Sequence, residues 1–172
     1  MEHKGKLIVI EGTDGSGKDT QTKLLVERLK KGGAKTLTLS FPQYGKKSAG
    51  LIEEYLSGKY GKPEEVNPYA ASLFYALNRF DFAPDIKKAL KDGCVVVLDR
   101  YVDSNAGHQG AKIRSPKKRE KFLVWLYHIE YQILGIPKPD LVLILHVPAE
   151  VSRRFLIFSN KPRRDLFFLL LG

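Results

Sequence analysis

Leu7-Ile8-Val9-Ile10 is a short, wholly apolar run that reaches Gly12-Thr13-Asp14-Gly15-Ser16-Gly17-Lys18 within two residues. Such a run, bounded by turn formers, reads as a strand buried on both faces, the kind found in parallel sheets. No regular element accommodates so many glycines so close together, so the strand must open into a loop. The stretch from about Lys18 to Lys31 then reads as a helix, with Leu24, Leu25 and Leu29 on one face and Gly32-Gly33 as its stop. G-x-x-x-x-G-K between a strand and a helix is a phosphate cradle. Glycines let successive backbone N–H groups converge on phosphate oxygens, the helix N-terminus adds a positive dipole end, and the lysine bridges the β- and γ-phosphates. The bare pattern arises by chance in about one chain in twenty of this length; the strand–loop–helix context is what gives it weight. The position after the lysine departs from the pattern. A hydroxyl that would hold Mg²⁺ is replaced by Asp19, with Thr20 next. Asp19 is open to two readings, a carboxylate ligand for the metal or a charge that repels phosphate.

The rest of the chain alternates strand and helix. Thr36 to Phe41 reads as a strand closed by Pro42. Asn67-Pro68 reads as a helix cap with proline at the first helical position. That helix is expected to run to about Phe82, with Pro84 kinking or interrupting it before Ile86 to Leu90. Cys94 to Leu98 is a further apolar strand ending at Asp99. Ser115-Pro116 opens a helix that carries Phe122, Trp125, Leu126, Ile129 and Ile133, and Leu141 to Leu145 is a fourth strand. Pro148 and Glu150 begin a last helix. This alternation predicts one α/β domain over residues 1–172, a parallel sheet with helices on both faces. Ligands in such sheets bind beyond the carboxyl ends of the strands.

Two further constellations lie at those ends or beside them. Asp99 terminates an apolar strand, where a carboxylate serves a cation or caps a turn, and Arg100 offers a planar fork for phosphate. Ser104 to Gly110 follows, rich in small and hydrogen-bonding residues. Tyr75 and Arg79 share one helix face; they could stack and hydrogen-bond a base, and ordinary core packing of Tyr75 fits equally well.

Twenty-nine Lys and Arg against nineteen Asp and Glu give a net charge of +10. The excess is concentrated late, with 17 basic against 14 acidic residues in 1–110 and 12 against 5 in 111–172. A basic chain seeks polyanions, but no block of five like charges marks a nucleic-acid-binding tail, and a nucleic-acid reading rests on charge alone. The lone Cys94 excludes an internal disulfide and fits a reducing, cytoplasmic setting. The apolar run Leu166 to Leu171 is far shorter than the roughly 20 residues of a spanning helix, so no membrane partner is expected.

Five motifs in register resemble the thymidylate kinase family: Glu11 to Lys18, Phe41-Pro42-Gln43-Tyr44-Gly45, Phe74 to Arg79, Asp99 to Asn105, and Pro137 to Val142. The resemblance runs from about Lys6 to Asp165. It implies a P-loop nucleoside-monophosphate-kinase fold that transfers the γ-phosphoryl group of ATP to dTMP, with Mg²⁺ as cofactor. By resemblance Gly12, Thr13, Asp14, Gly15, Ser16, Gly17, Lys18, Asp19 and Thr20 form the ATP side, and Asp14 reaches toward the acceptor sugar. Arg100 grips the acceptor phosphate, with Asp99 on the metal side. Tyr75 stacks thymine, Arg79 contacts the base, Phe41 and Tyr44 line the pocket, and Ser104 and Asn105 lie on its base side. His108 stands where the family often has an aromatic that discourages a 2′-hydroxyl. The segment of about 159–165, with Arg163, Arg164 and Asp165, resembles the family's lid, and the family is typically a homodimer.

After Asp165 the pattern fails: position 168 is Phe where an acid is expected, and 166–172 matches nothing in the lid. The expectation is a chain altered or truncated there, its last strand missing, the acceptor site intact and ATP turnover impaired. Two other readings stay open, a kinase for a different nucleoside monophosphate and a non-catalytic phosphate-loop module.

Overall fold

A computed structural model describes residues 5–148 and 150–153. The elements run β1 (Lys6–Gly12), α1 (Lys18–Lys31), β2 (Thr36–Ser40), α2 (Gly50–Leu56), α3 (Pro68–Lys91), β3 (Val95–Asp99), α4 (Val102–Ala111), α5 (Pro116–His128) and β4 (Leu141–Leu145). A 3₁₀ turn, Lys47–Ala49, precedes α2, and a π-helical turn, Ile129–Ile133, extends α5. Residues 150–153 are helical.

The four strands are all parallel, in the order β2-β3-β1-β4. Leu7 and Val9 of β1 share a core with Val96 and Leu98 of β3, Ala83, Ile86 and Leu90 of α3, and Phe122 and Leu126 of α5. Ile10 and Val97, of opposite parity, are buried as well, and α1 packs across β1, β2 and β3. Helices therefore cover both faces, as the alternation implied. β4 is an edge strand among the described residues, and its Leu141, Leu143 and Ile144 remain substantially exposed.

Three local expectations change. First, α3 is one continuous helix across Pro84. Asn67 caps it as expected, its Oδ1 accepting from Tyr69 N at 2.9 Å. Pro84 is exposed, so the Phe80 carbonyl it leaves without a helical donor lies on the water side. Ala83 and Ile86, on the opposite side, are packed in the core. Second, Leu24 is 53% exposed, and the inward stripe of α1 is instead Lys18, Thr22, Leu25 and Leu29. Third, Ile133 is exposed: it lies in the π-helical turn, and the buried stripe of α5 continues from Phe122 and Leu126 to Glu130.

The register of the sheet sets up the site. Ile10 lies opposite Asp99, and Asp99 opposite Ser40. The ends of β1, β2 and β3 thus stand abreast, and the segments that follow them share one rim of the sheet.

Candidate active site

Gly12 leaves β1 at φ +152°, and a Cβ there would sit 2.8 Å from the Leu145 carbonyl and 2.7 Å from Ser16 Oγ. Gly17, at φ +86°, turns the chain into α1. Only glycine meets both demands without strain. Lys18 begins α1 and is 7% exposed. Its Nζ folds back to the Thr13 carbonyl at 2.8 Å and lies 4.0 Å from Asp14 Oδ1. Burial, and then the nearby Arg100 guanidinium, lower its pKa below the ordinary lysine value, against the pull of Asp14, Asp99 and Glu11. A polyanion placed in the loop would favour the charged amine. Ser16 Oγ is buried without a hydrogen-bond partner among the described residues. Thr13 Oγ1 lies 3.4 Å from Ser152 Oγ, so the helical residues 150–153 touch the loop. Thr20 is exposed.

Arg100 closes the site from β3. It takes a left-handed backbone conformation, φ +66°, which is uncommon for a non-glycine residue. Its guanidinium pairs with Asp14, reaches Ser104 Oγ at 3.3 Å and touches the Gly12 carbonyl at 3.4 Å. Cationic fork and phosphate loop therefore face each other through Asp14.

Beside them, Asp99 Oδ2 accepts from Ser40 Oγ at 3.5 Å, while its Oδ1 is buried without a partner among the described residues. Burial raises the Asp99 pKa, Lys18 and Arg100 oppose the rise, and Asp19 adds to it. An orphaned buried carboxylate oxygen next to a phosphate loop fits a divalent cation. Mg²⁺ commonly takes one or two carboxylates and completes its shell with water and phosphate oxygens. Among the described residues no cluster of three His, Cys, Asp or Glu offers an all-protein cage, so a metal here would be held together with the nucleotide. Asp19 is a poorer candidate, since its carboxylate pairs with Lys23 at 2.9 Å on the surface of α1.

The residues expected to meet the acceptor are carried by α3, α4 and the segment after β2. His108 is half-buried and faces Arg100, Asp14 and Lys18; burial first, then Arg100, lower its pKa to about 4, which keeps the ring neutral at pH 7. Tyr75 is partly buried, its ring 6.3 Å from that of Tyr55 in an edge-on contact. Asn105 is 4% exposed; its Nδ2 donates to the Ser72 carbonyl at 3.2 Å and lies 3.5 Å from Glu130 Oε1. Two acceptors on one side fix the amide orientation, and Asn105 Oδ1 is buried without a partner among the described residues. Tyr44 is exposed near the end of β2.

Two of the expected site residues are engaged by other parts of the fold. Arg79 is 3% exposed, and its Nε and Nη2 are taken by Glu130, with Nη1 at 3.4 Å from the Tyr101 carbonyl. Burial disfavours its charge, but Glu130 outweighs that and raises its pKa. Phe41 is 3% exposed and packs against Phe82 and Tyr101, each at 6.0 Å between ring centroids; it belongs to the core rather than to an open wall. Arg163, Arg164 and Asp165 lie outside the described residues.

Two carboxylates escaped the sequence reading as functional groups. Glu11 is 4% exposed and receives Tyr101 N at 2.8 Å, Ser104 N at 3.1 Å and the Ser104 hydroxyl. Glu130 is fully buried with Arg79. Its signal was available: Phe122, Leu126 and Glu130 fall four apart on the stripe that faces the core, and an acid there requires a buried cation.

Glu130→Leu would strand the Arg79 guanidinium in the core. We expect a loss of about 3–5 kcal/mol in urea unfolding, and recovery of most of it in Arg79→Met/Glu130→Leu. A single variant within 1 kcal/mol of the parent (~1 kcal/mol being the scale of an exposed pair) would contradict the buried pairing. His108 generates a pH dependence. The unfolded chain binds this proton below about pH 6.5, whereas the folded chain binds it only near 4. Stability should therefore fall as pH drops through that window, and His108→Phe should flatten the fall. An equal pH slope in both proteins would show that burial does not depress this histidine.

The thymidylate kinase family model matches residues 10–160. A thymidylate kinase of Mycobacterium tuberculosis is 37% identical over 147 residues, covering 85% of this chain and 68% of the relative. The human thymidylate kinase is 36% identical over 153 residues, covering 88% of this chain and 66% of the relative. A solved thymidylate kinase structure from Candida albicans superposes with a TM-score of 0.71 at 30% identity, covering 87% of this chain and 66% of that one. The chain thus spans about two thirds of the length of these relatives. On the strength of the matched motifs, the shared fold and these identities, the chain belongs to the thymidylate kinase family.

Proposed function

We propose that this chain transfers the γ-phosphoryl group of ATP to the 5′-phosphate of dTMP, forming dTDP for dTTP synthesis. The observation that carries the reading is the meeting of two phosphate-directed groups: the buried Lys18 in its glycine loop and the Arg100 fork, joined across Asp14. Two polyanions brought into line need positioning and charge neutralisation rather than covalent help from side chains.

The loop N–H groups and Lys18 hold the β- and γ-phosphates of ATP. Arg100 holds the 5′-phosphate of the acceptor, and Asp14 keeps that guanidinium directed at the loop. Asp99 would hold Mg²⁺ through its orphaned Oδ1, and the ion when bound neutralises charge on the transferring phosphoryl group. On the base side, Tyr75 offers a stacking plane and Arg79 a remaining Nη1 donor. Asn105 Oδ1 needs a donor, which the N3–H of thymine supplies and the unprotonated N3 of cytosine does not. This complementarity favours dTMP over deoxycytidylate. A cytoplasmic place of action fits the single Cys94, and no helix among the described residues is long and apolar enough to cross a membrane.

Turnover with ATP and Mg²⁺ should prefer dTMP over deoxycytidylate, and Lys18→Ala and Arg100→Ala should each lower kcat/KM by about 10²–10³. Only Arg100→Ala should mainly raise the KM for dTMP. Unchanged turnover in both variants would refute the assignment. The second copy in a homodimer is proposed to seat on Leu73, Leu77 and Phe80, three exposed apolar side chains on one stripe of α3. Sedimentation equilibrium should report a dimer that Leu77→Glu converts to monomer; a parent chain that sediments as a monomer would contradict it.

A further inference from the structure

Glu11 has no part in the transfer scheme, yet it is the most fully engaged carboxylate at the rim of the sheet. Tyr101 is the N-cap residue of α4 and offers no side-chain cap; its phenol donates instead to the Pro137 carbonyl at 3.0 Å. In a capping box one side chain accepts from the N–H three residues into the helix, and a second side chain returns to the N–H of the cap residue. Here both N–H groups, Tyr101 N at 2.8 Å and Ser104 N at 3.1 Å, go to a single oxygen, Glu11 Oε1, carried in from β1. The other oxygen, Oε2, takes the Ser104 hydroxyl hydrogen. The carboxylate also meets the positive end of the α4 dipole.

The consequence reaches Arg100, the residue just before the cap. Its backbone N–H donates to the Ile10 carbonyl at 3.0 Å, its φ is +66°, and its Nη1 donates to Ser104 Oγ at 3.3 Å. A serine hydroxyl has one hydrogen. With that hydrogen on Glu11, a lone pair of Ser104 faces Arg100, and the series from Arg100 to Ser104 to Glu11 runs in one direction only. Glu11 also immediately precedes Gly12, so the same backbone that starts the phosphate loop fixes the start of α4.

We propose that Glu11 is a positioning residue for the acceptor phosphate: by capping α4 from β1 it aims the Arg100 guanidinium, and it takes no part in reading the nucleoside. The inference rests on the acceptor site proposed above. Its test compares thymidine with dTMP by calorimetric titration, because the ratio of the two affinities isolates the phosphate. The parent chain should prefer dTMP by about 30-fold or more, the scale of a charge-assisted contact. Glu11→Ala should cut that ratio about tenfold while thymidine affinity stays within about twofold. Glu11→Ala/Arg100→Ala should give the ratio of Arg100→Ala alone, since one residue acts through the other. Glu11→Gln keeps an oxygen for the two backbone N–H groups and replaces the other with a donor. It provides a folded comparison should the alanine variant fail to fold, with an expected fall in the ratio of about threefold. Equal proportional losses for thymidine and dTMP in Glu11→Gln, or additive effects in the double variant, would overturn the proposal. A parent chain with no preference for dTMP over thymidine would overturn the acceptor reading itself, and this inference with it.

Discussion

In the pairing of β1 with β3, Ile10 lies opposite Asp99, and that register places the start of the glycine loop beside the start of the Asp99-Arg100 turn. A one-residue slip would turn the side chains of β1 to the other face of the sheet. It would bring Leu7 and Val9 out of their core and separate Gly12 from Arg100. The register is held by what it buries: Leu7, Val9, Val96 and Leu98 are all within 1% of full burial. The chemistry at the rim is therefore fixed by apolar packing below it, and the polar groups need only complete the aim.

That aim is achieved with charge kept in close balance. Lys18, Arg100, Asp14, Asp99 and Glu11 occupy neighbouring positions, two cations against three carboxylates. Burial makes each charge more expensive and each pairing more effective. The lowered pKa of Lys18 and the raised pKa of Asp99 have burial as their first cause, with each group pulling the other back toward its charged form. Among the buried atoms without a partner in the described residues are three on proposed site residues: Ser16 Oγ, Asp99 Oδ1 and Asn105 Oδ1. In the proposed enzyme these are the places where phosphate, cation and base would enter.

The glycine loop was legible because its information is local: an apolar run, the glycines and a lysine lie within a dozen residues. The parallel sheet followed from alternation, and the Asn67 cap from adjacent residues. The core position of Glu130 is legible in its spacing from Phe122 and Leu126, but the partners of Glu11 and Glu130 are not, because they lie far away in sequence. Glu11 meets Tyr101 and Ser104 some ninety positions on, and Glu130 meets Arg79 51 positions back. Pro84 illustrates the opposite failure. The helix runs through the proline without interruption, and its inner face is anchored by Ala83 and Ile86. Phe41 was read with the turn that follows it, while its ring belongs to the core between Phe82 and Tyr101.

The central claim is that the acceptor phosphate lies on Arg100, between the glycine loop and α4. A crystal structure of the chain with dTMP tests it most directly. The account requires 5′-phosphate oxygens within hydrogen-bonding distance of the Arg100 guanidinium, about 2.7–3.2 Å, with the thymine ring against Tyr75. A bound dTMP whose phosphate sits elsewhere, with Arg100 still paired only to Asp14 and Ser104, would contradict it.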